Sequence, residues 1–190
     1  MNLYGSNTSP YVRRLRVWLS NREFNYINID IFSSDGRALL KKKNPTLKIP
    51  MFEDGNQIVF DSNVIYRYLE EKFDTPHLTW DEENQLTMIN AASDSLIQLL
   101  LCDRSNLDTH ADIMFFKLQR ERLHELFEEL DKQVDQGLFN NWNYASISLY
   151  CLIDWAEFRK LYDLKAFSHI NSFHAQHAKR PDIVATDPRA

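Results

Sequence analysis

The sequence predicts two domains of different class: an α/β domain over residues 1–73 and an all-helical domain over 84–190, joined by a linker at 74–83. Three observations carry this. In the first third, short apolar runs of period 2 alternate with segments of helical period. From Leu86 onward every apolar stripe has helical spacing. Between them, residues 74–83 contain Pro76 and little periodicity. The chain has 190 residues, enough for two modest cores. Its four glycines favour long helices over many tight turns.

Leu3 and Tyr4 begin a short strand that ends near Gly5. Ser6 to Ser9 is polar loop. Pro10 suits the first turn of a helix with Ser9 as N-cap. Tyr11, Leu15, Trp18 and Leu19 form that helix's apolar stripe, and Arg13, Arg14 and Arg16 its basic, solvated side. Phe24 to Phe32 alternates apolar and polar residues, a second strand. Asp35 to Lys43 is a short helix. Two further strands follow, one through Met51 and Phe52, one from Gln57 to Phe60, with Asp54-Gly55 as the hairpin turn. Asp61-Ser62 then opens a helix with Val64, Ile65, Tyr68, Leu69 and Phe73 at helical spacing. This order of short strands and helices is thioredoxin-like.

Beyond the linker, Leu86 to Leu101 is one helix. Ile113 to Val134 is a second, through Leu118, Leu123, Leu126, Phe127 and Leu130, ended by Gly137. Asn143 opens a third, and a fourth runs from about Ala166 to Ala178. The last stretch, RPDIVATDPRA, reads as an extended tail.

The stretch NPTLKIPMFEDGNQIVFDS, Asn44 to Ser62, carries the candidate chemistry. Pro50 stands at a strand entry, where a missing N–H does least harm. Spacing alone favours an ordinary trans proline on an edge strand, since cis is uncommon even before proline. A cis bond would instead present the backbone of Ile49 to an extended peptide. Asp61-Ser62 is either a plain cap or a site for an amino-acid ligand. In the second case Ser62 and the helix N–H groups take the carboxylate, and Asp61 takes the ammonium.

Taken together, NPTLKIP followed by DGNQIVFDS resembles the ligand-binding segment of the glutathione S-transferase family: Asn-Pro, a basic residue, an aliphatic residue, cis-Pro, then an acidic residue and Ser at a helix start. The resemblance extends from LYGSNTSPYVRR to RPDIVATDP, nearly the whole chain. It is closest to bacterial glutathione S-transferase-like proteins that begin G-S-x-T-S-P. It implies a thioredoxin-like domain followed by an all-helical domain, and a cis Pro50. It further implies glutathione as co-substrate, with no metal. Ile49 would pair with the cysteinyl backbone, Asp61 and Ser62 with the γ-glutamyl end, and Lys48 with the glycyl carboxylate. Asp61 keeps the charge of the more usual Glu with a reach shorter by one methylene. Asn143 and Ser146 fall where the family has a capping box, with Ser in place of Asp.

Ser9 stands where cysteine-bearing members have Cys-Pro. A hydroxyl donor near the glutathione sulfur favours thiolate, and the first helix's N-terminus adds positive potential. Ser9 is therefore the candidate catalytic residue, with Ser6 and Thr8 as rivals in the same loop. Serine forms no mixed disulfide, which disfavours glutathione-dependent disulfide reduction. The expected activity is conjugation of the glutathione thiolate to a small electrophile seated between the domains, near the Leu86–Leu101 helix. The family also implies a homodimer. The rival reading is a non-catalytic partner-binding protein similar to the stringent starvation proteins that contact RNA polymerase.

Composition limits the alternatives. The formal net charge of −5 argues against a general nucleic-acid binder. No apolar run approaches the roughly 20 residues of a membrane span. The first residues lack the order of a signal peptide. Cys102 and Cys151 form no C-x-x-C, so a reducing cytoplasm with two core thiols is expected. His174 and His177, at i and i+3, have no accompanying Cys or carboxylate pattern, so no metal site is expected.

Overall fold

The computed structural model describes all residues, 1–190. The chain divides into two compact units: Met1–His77 with Arg180–Ala190, and Leu78–Lys179.

The first unit is built on four short strands: β1 (Asn2–Gly5), β2 (Asn25–Asn28), β3 (Met51–Asp54) and β4 (Gln57–Phe60). Their order is β2-β1-β3-β4, with β1 and β2 parallel and the other two pairs antiparallel. Around them lie α1 (Pro10–Trp18), α2 (Ser34–Lys43) and α3 (Ser62–Phe73). This is the thioredoxin-like arrangement the sequence predicts. Strand periodicity sorts the side chains onto two faces. Tyr4 and Met51 pair across β1 and β3 and join the cluster of Leu40 and Ile29 under α2. Leu3 and Phe52 pair on the opposite face, where Phe52 meets Tyr68 of α3 at 6.2 Å. α1 and α3 lock through Trp18, edge-on to Tyr66 at 5.4 Å.

The next two residues of β3 anchor the helices on those same two faces. Glu53 accepts from Lys43 of α2 and from Tyr4, both at 2.6 Å. Asp54 accepts from Tyr68 at 2.7 Å and from Lys72, both on α3. The ammonium of Lys43, then the phenol of Tyr4, hold the Glu53 carboxyl down at about 2. Lys72 and then Tyr68 lower Asp54. The hairpin closes with Asp54 opposite Gln57, and Gly55 takes the positive φ of +59° that its turn needs.

β2 is shorter than expected: it spans four residues, and Ile29 and Ile31 beyond it pack into the α2 cluster from outside the ladder. Two expectations for α1 and the tail are corrected. Arg13 and Arg14 are not on a solvated face; each is 3% exposed, because acceptors distant in sequence reach them. The tail is not extended: it forms a one-turn helix, α8 (Pro181–Val184), started by Pro181 at its first position.

The second unit is helical: α4 (Trp80–Arg104), α5 (Met114–Asp135), α6 (Tyr144–Arg159) and α7 (Ser168–His177). α4 begins inside the stretch read as linker, because Thr79 and Glu82 make a capping box. α6 is buried on nearly every side and is the unit's central element. On α5 the buried stripe runs through Phe116, Leu123, Phe127 and Leu130, while Leu118 is 47% exposed. Phe127 stacks on Tyr162 at 4.8 Å. Cys151 is a core thiol on α6 as expected, whereas Cys102, expected in the core, is partly exposed on α4. At the start of α6 the Asn143 side chain accepts from the Ser146 N–H at 3.1 Å. The reciprocal half of a box is absent: the Ser146 hydroxyl turns to the carbonyls of Phe139 and Asn141. No helix is long and apolar enough to cross a membrane.

Candidate functional site

Strand register gathers the predicted residues of the first unit. Met51 pairs with Tyr4 on one side and Phe60 on the other. The residues just before Met51, just after Tyr4 and just after Phe60 therefore leave the sheet at the same end. These are Ile49-Pro50, the Ser6–Ser9 loop and Asp61-Ser62.

The Ile49–Pro50 bond is cis, as the resemblance implies and against the spacing-only reading. The loop before it is cinched by Asn44, which is fully buried. Asn44 donates to the carbonyl of Lys48 at 2.8 Å and accepts from the N–H and hydroxyl of Thr46 at 3.0 and 2.8 Å. Ile49 lies outside the ladder, and its N–H and C=O make no bond within the chain. Lys48 is exposed and extends into solvent.

Asp61 is the N-cap of α3, with Oδ1 accepting from the N–H groups of Asn63 and Val64 at 2.9 and 3.3 Å. Its backbone sits at φ 74°, ψ 132°, a conformation that costs a non-glycine residue roughly 1–3 kcal/mol. Ser62 is 1% exposed, and its Oγ accepts a hydrogen bond from Nη2 of buried Arg14. A guanidinium is donor-only. The Ser62 hydroxyl hydrogen therefore points away from Arg14.

Ser9 caps α1, with Oγ 3.4 Å from the N–H of Val12, a long bond. It serves there as acceptor, so its hydroxyl hydrogen remains available to donate. Ser6 and Thr8 hydroxyls face each other at 3.3 Å. The loop is held from its outer side by Asn7: its N–H donates to Asn28 at 3.2 Å, and its side chain accepts from Arg16 at 3.2 Å. Arg16 lies over the Tyr26 ring at 4.3 Å, and burial lowers its pKa. At the loop's base Gly5 is required by close approach. A Cβ there would stand 2.3 Å from Cγ2 of Val12, so α1 packs directly onto the strand end.

Arg14, Asn44 and Gly5 were missed as site residues. Arg14 and Ser62 are 48 positions apart, and no local pattern joins them. Asn44 had a local signal, an Asx turn before Pro45 and Thr46.

The histidines of the second unit do meet carboxylates, contrary to the reading from local spacing. His174 Nε2 is 3.1 Å from Asp154, and Nδ1 is 3.6 Å from Glu157, both on α6. The three offer ligand atoms within 4.8 Å of one another. Both ring nitrogens face carboxylates, so His174 ties α7 to α6. His177 instead stacks on Trp142 at 4.4 Å.

Residues 3–77 match the family model of the glutathione S-transferase N-terminal domain. A probable maleylacetoacetate isomerase of Caenorhabditis elegans is 35% identical over 79 residues, which is 41% of this chain and 37% of the nematode protein. An uncharacterised glutathione S-transferase-like protein of Escherichia coli, YibF, is 28% identical over 173 residues, 85% of this chain and 84% of its own. Among solved structures, a glutathione S-transferase of Methylobacillus flagellatus with glutathione bound superposes with a TM-score of 0.84 at 19% identity, over 98% of both chains. Residues 3–77 thus belong to the glutathione S-transferase N-terminal domain family, and the chain has the glutathione S-transferase fold.

Proposed function

We propose that this protein binds glutathione at the end of its sheet and conjugates the glutathione thiolate to a small electrophile. One observation carries the reading. The unpaired peptide edge at Ile49, the Ser62 hydroxyl at the start of α3 beside Arg14, and the Ser9 hydroxyl at the cap of α1 all leave the sheet at the same end. Those are the three chemistries that a γ-glutamyl-cysteinyl peptide with a thiol requires.

In this reading Ile49 pairs with the cysteinyl backbone. The Ser62 hydroxyl and the N-terminus of α3 take the γ-glutamyl carboxylate, with the Arg14 charge behind them. Asp61 takes the ammonium through Oδ2, since Oδ1 is committed to the cap. Lys48 swings onto the glycyl carboxylate. Ser9 donates to sulfur and lowers the thiol's pKa. The thiol proton leaves to solvent, and the thiolate attacks the electrophile, whose leaving group departs with the electron pair of the broken bond. Glutathione is a co-substrate, and no metal enters the reaction. The working form is a homodimer in the cytoplasm.

Calorimetric titration with reduced glutathione tests the binding step, and an electrophile panel including maleylacetoacetate tests the chemistry. Ser9→Ala should raise the bound thiol's pKa by about one to two units, the equivalent of one hydrogen bond to a charged group. The pH dependence of thiolate absorbance in the complex reads this directly. Coincident curves for wild type and a folded Ser9→Ala variant would remove Ser9 from the chemistry and leave it a cap.

A further inference from the structure

The chain leaves the first unit after His77 and rejoins it at Arg180, once the whole of the second unit has intervened. The returning segment is short and polar, yet Ile183 is 2% exposed and Thr186 is 6% exposed. Buried Arg13 of α1 faces it. Its Nη2 donates to the carbonyl of Ile183 at 3.2 Å, and its Nε lies 3.4 Å from Oγ1 of Thr186. The Thr186 hydroxyl donates in turn to the carbonyl of Asp182 at 2.9 Å. One side chain therefore receives Arg13 and closes the turn that presents Ile183. Arg180 grips Asp182 through two bonds, at 3.2 and 3.1 Å, and fixes the start of the segment.

α1 is a single helix of nine residues, from Pro10 to Trp18. Arg13 and Arg14 are adjacent on it, and Ser9 is its cap. Arg13 reaches the tail while Arg14 reaches Ser62, so the two guanidiniums brace the helix from two directions. A rotation of α1 that releases one displaces the other and turns the first helical turn with its cap. A buried guanidinium stripped of an acceptor is strongly destabilised, so the brace resists such rotation.

We propose that the C-terminal segment Arg180–Ala190 is a positioning element of the glutathione site: through Arg13 it sets α1, and so the reach of Arg14 to Ser62 and the aim of Ser9. The inference rests on reading that site as a glutathione site.

The test uses the full chain. Thr186→Val keeps the shape and removes the hydroxyl, while Thr186→Ser keeps the hydroxyl. Amide hydrogen exchange is measured in the ligand-free protein, then glutathione affinity by calorimetry and the bound thiol's pKa by thiolate absorbance. Thr186→Val should speed exchange in the first turn of α1 and at Ser62–Val64, and weaken glutathione by about threefold to tenfold, the worth of one hydrogen bond. It should also raise the bound thiol's pKa. Thr186→Ser should restore all three. Unchanged exchange at α1 and Ser62 in a folded Thr186→Val protein overturns the proposal, as does unchanged affinity and pKa when exchange has risen. If the wild type binds no glutathione, the site reading fails by itself. The exchange comparison then still decides whether the tail holds α1. Should Thr186→Val not fold, Arg13→Lys carries the same readouts, because it keeps the charge and loses the two-point geometry.

Discussion

The two ends of β3 are built on opposite plans. At the end occupied by Glu53 and Asp54, polar side chains are committed to partners in the chain. Glu53 takes Lys43, Tyr4 and, at 3.5 Å, Asn2; Asp54 takes Lys72 and Tyr68. At the end occupied by Ile49 and Pro50, capacity is left open. The Ile49 peptide edge is unpaired, Oδ2 of Asp61 makes no hydrogen bond, and the Ser9 hydrogen is uncommitted. The closed end fastens helices to both faces of the sheet. The open end carries a strained backbone at Asp61 and a cap stretched to 3.4 Å at Ser9. Preorganised but unpaired groups cost folding stability and serve binding. Mutations at the two ends should therefore act on different observables.

The largest effect is expected at the open end. Ser62→Ala removes the donor proposed for the γ-glutamyl carboxylate together with the acceptor for Arg14. A hydrogen bond to a charged group is worth roughly 1.5–3 kcal/mol, so glutathione affinity should fall about tenfold to a hundredfold. Calorimetry of the purified variant reads the loss. Affinity within about twofold of wild type, in a folded protein, would mean that the carboxylate sits elsewhere.

Next in size is a variant that should separate the two plans at one residue. Asp61→Gly relieves the backbone at φ 74°, where glycine is at ease. The lost cap costs only a few tenths of a kcal/mol with glycine in place. The fold should gain about 1 kcal/mol, while glutathione weakens by up to about fivefold as the ammonium loses the carboxylate proposed for it. Denaturant midpoint and calorimetry together check it. A variant that is both less stable and unchanged in binding would show Asp61 to be a cap and nothing more.

The legible part of the fold was the part written locally. Strand period, the Asp-Gly turn and the Ser-Pro helix start located β1, α1, the hairpin and α3 because each signal lies within a few residues. The capping box of Thr79 and Glu82 is equally local, and it starts α4 earlier than the weak periodicity around Pro76 suggests. Asp61-Ser62 and Ile49-Pro50 were legible as a pair only through a family resemblance, since each alone reads as a cap or an edge proline. What stayed hidden depends on chain distant in sequence. Arg13 and Arg14 read as a basic helix face until Ile183, Thr186 and Ser62 supply acceptors. His174 read as isolated because its carboxylates lie on α6, 17 and 20 positions away.

The smallest expected effect belongs to the closed end and should leave binding untouched. The Glu53 carboxyl is held at about 2, against an ordinary value of 4.5, by Lys43 first and Tyr4 second. Its pKa is lower folded than unfolded, so the folded chain holds its proton less tightly. The stabilisation is therefore complete above the unfolded value near 4.5 and drains away as pH falls toward about 2. The Glu53 and Lys43 side chains are 20% and 23% exposed, so solvent screens part of the interaction. After that screening a contribution of about 1 kcal/mol is expected, less than the bare shift implies. Glu53→Gln keeps the shape and removes the charge. Measured by denaturant unfolding, it should be less stable than wild type by about that amount at pH 7, and the two curves should converge as pH falls below 4. Glutathione affinity at pH 7 should be the same for both proteins. A parallel loss of affinity would show that the ionic anchor at one end of β3 is felt at the other, and that the two ends are not independent.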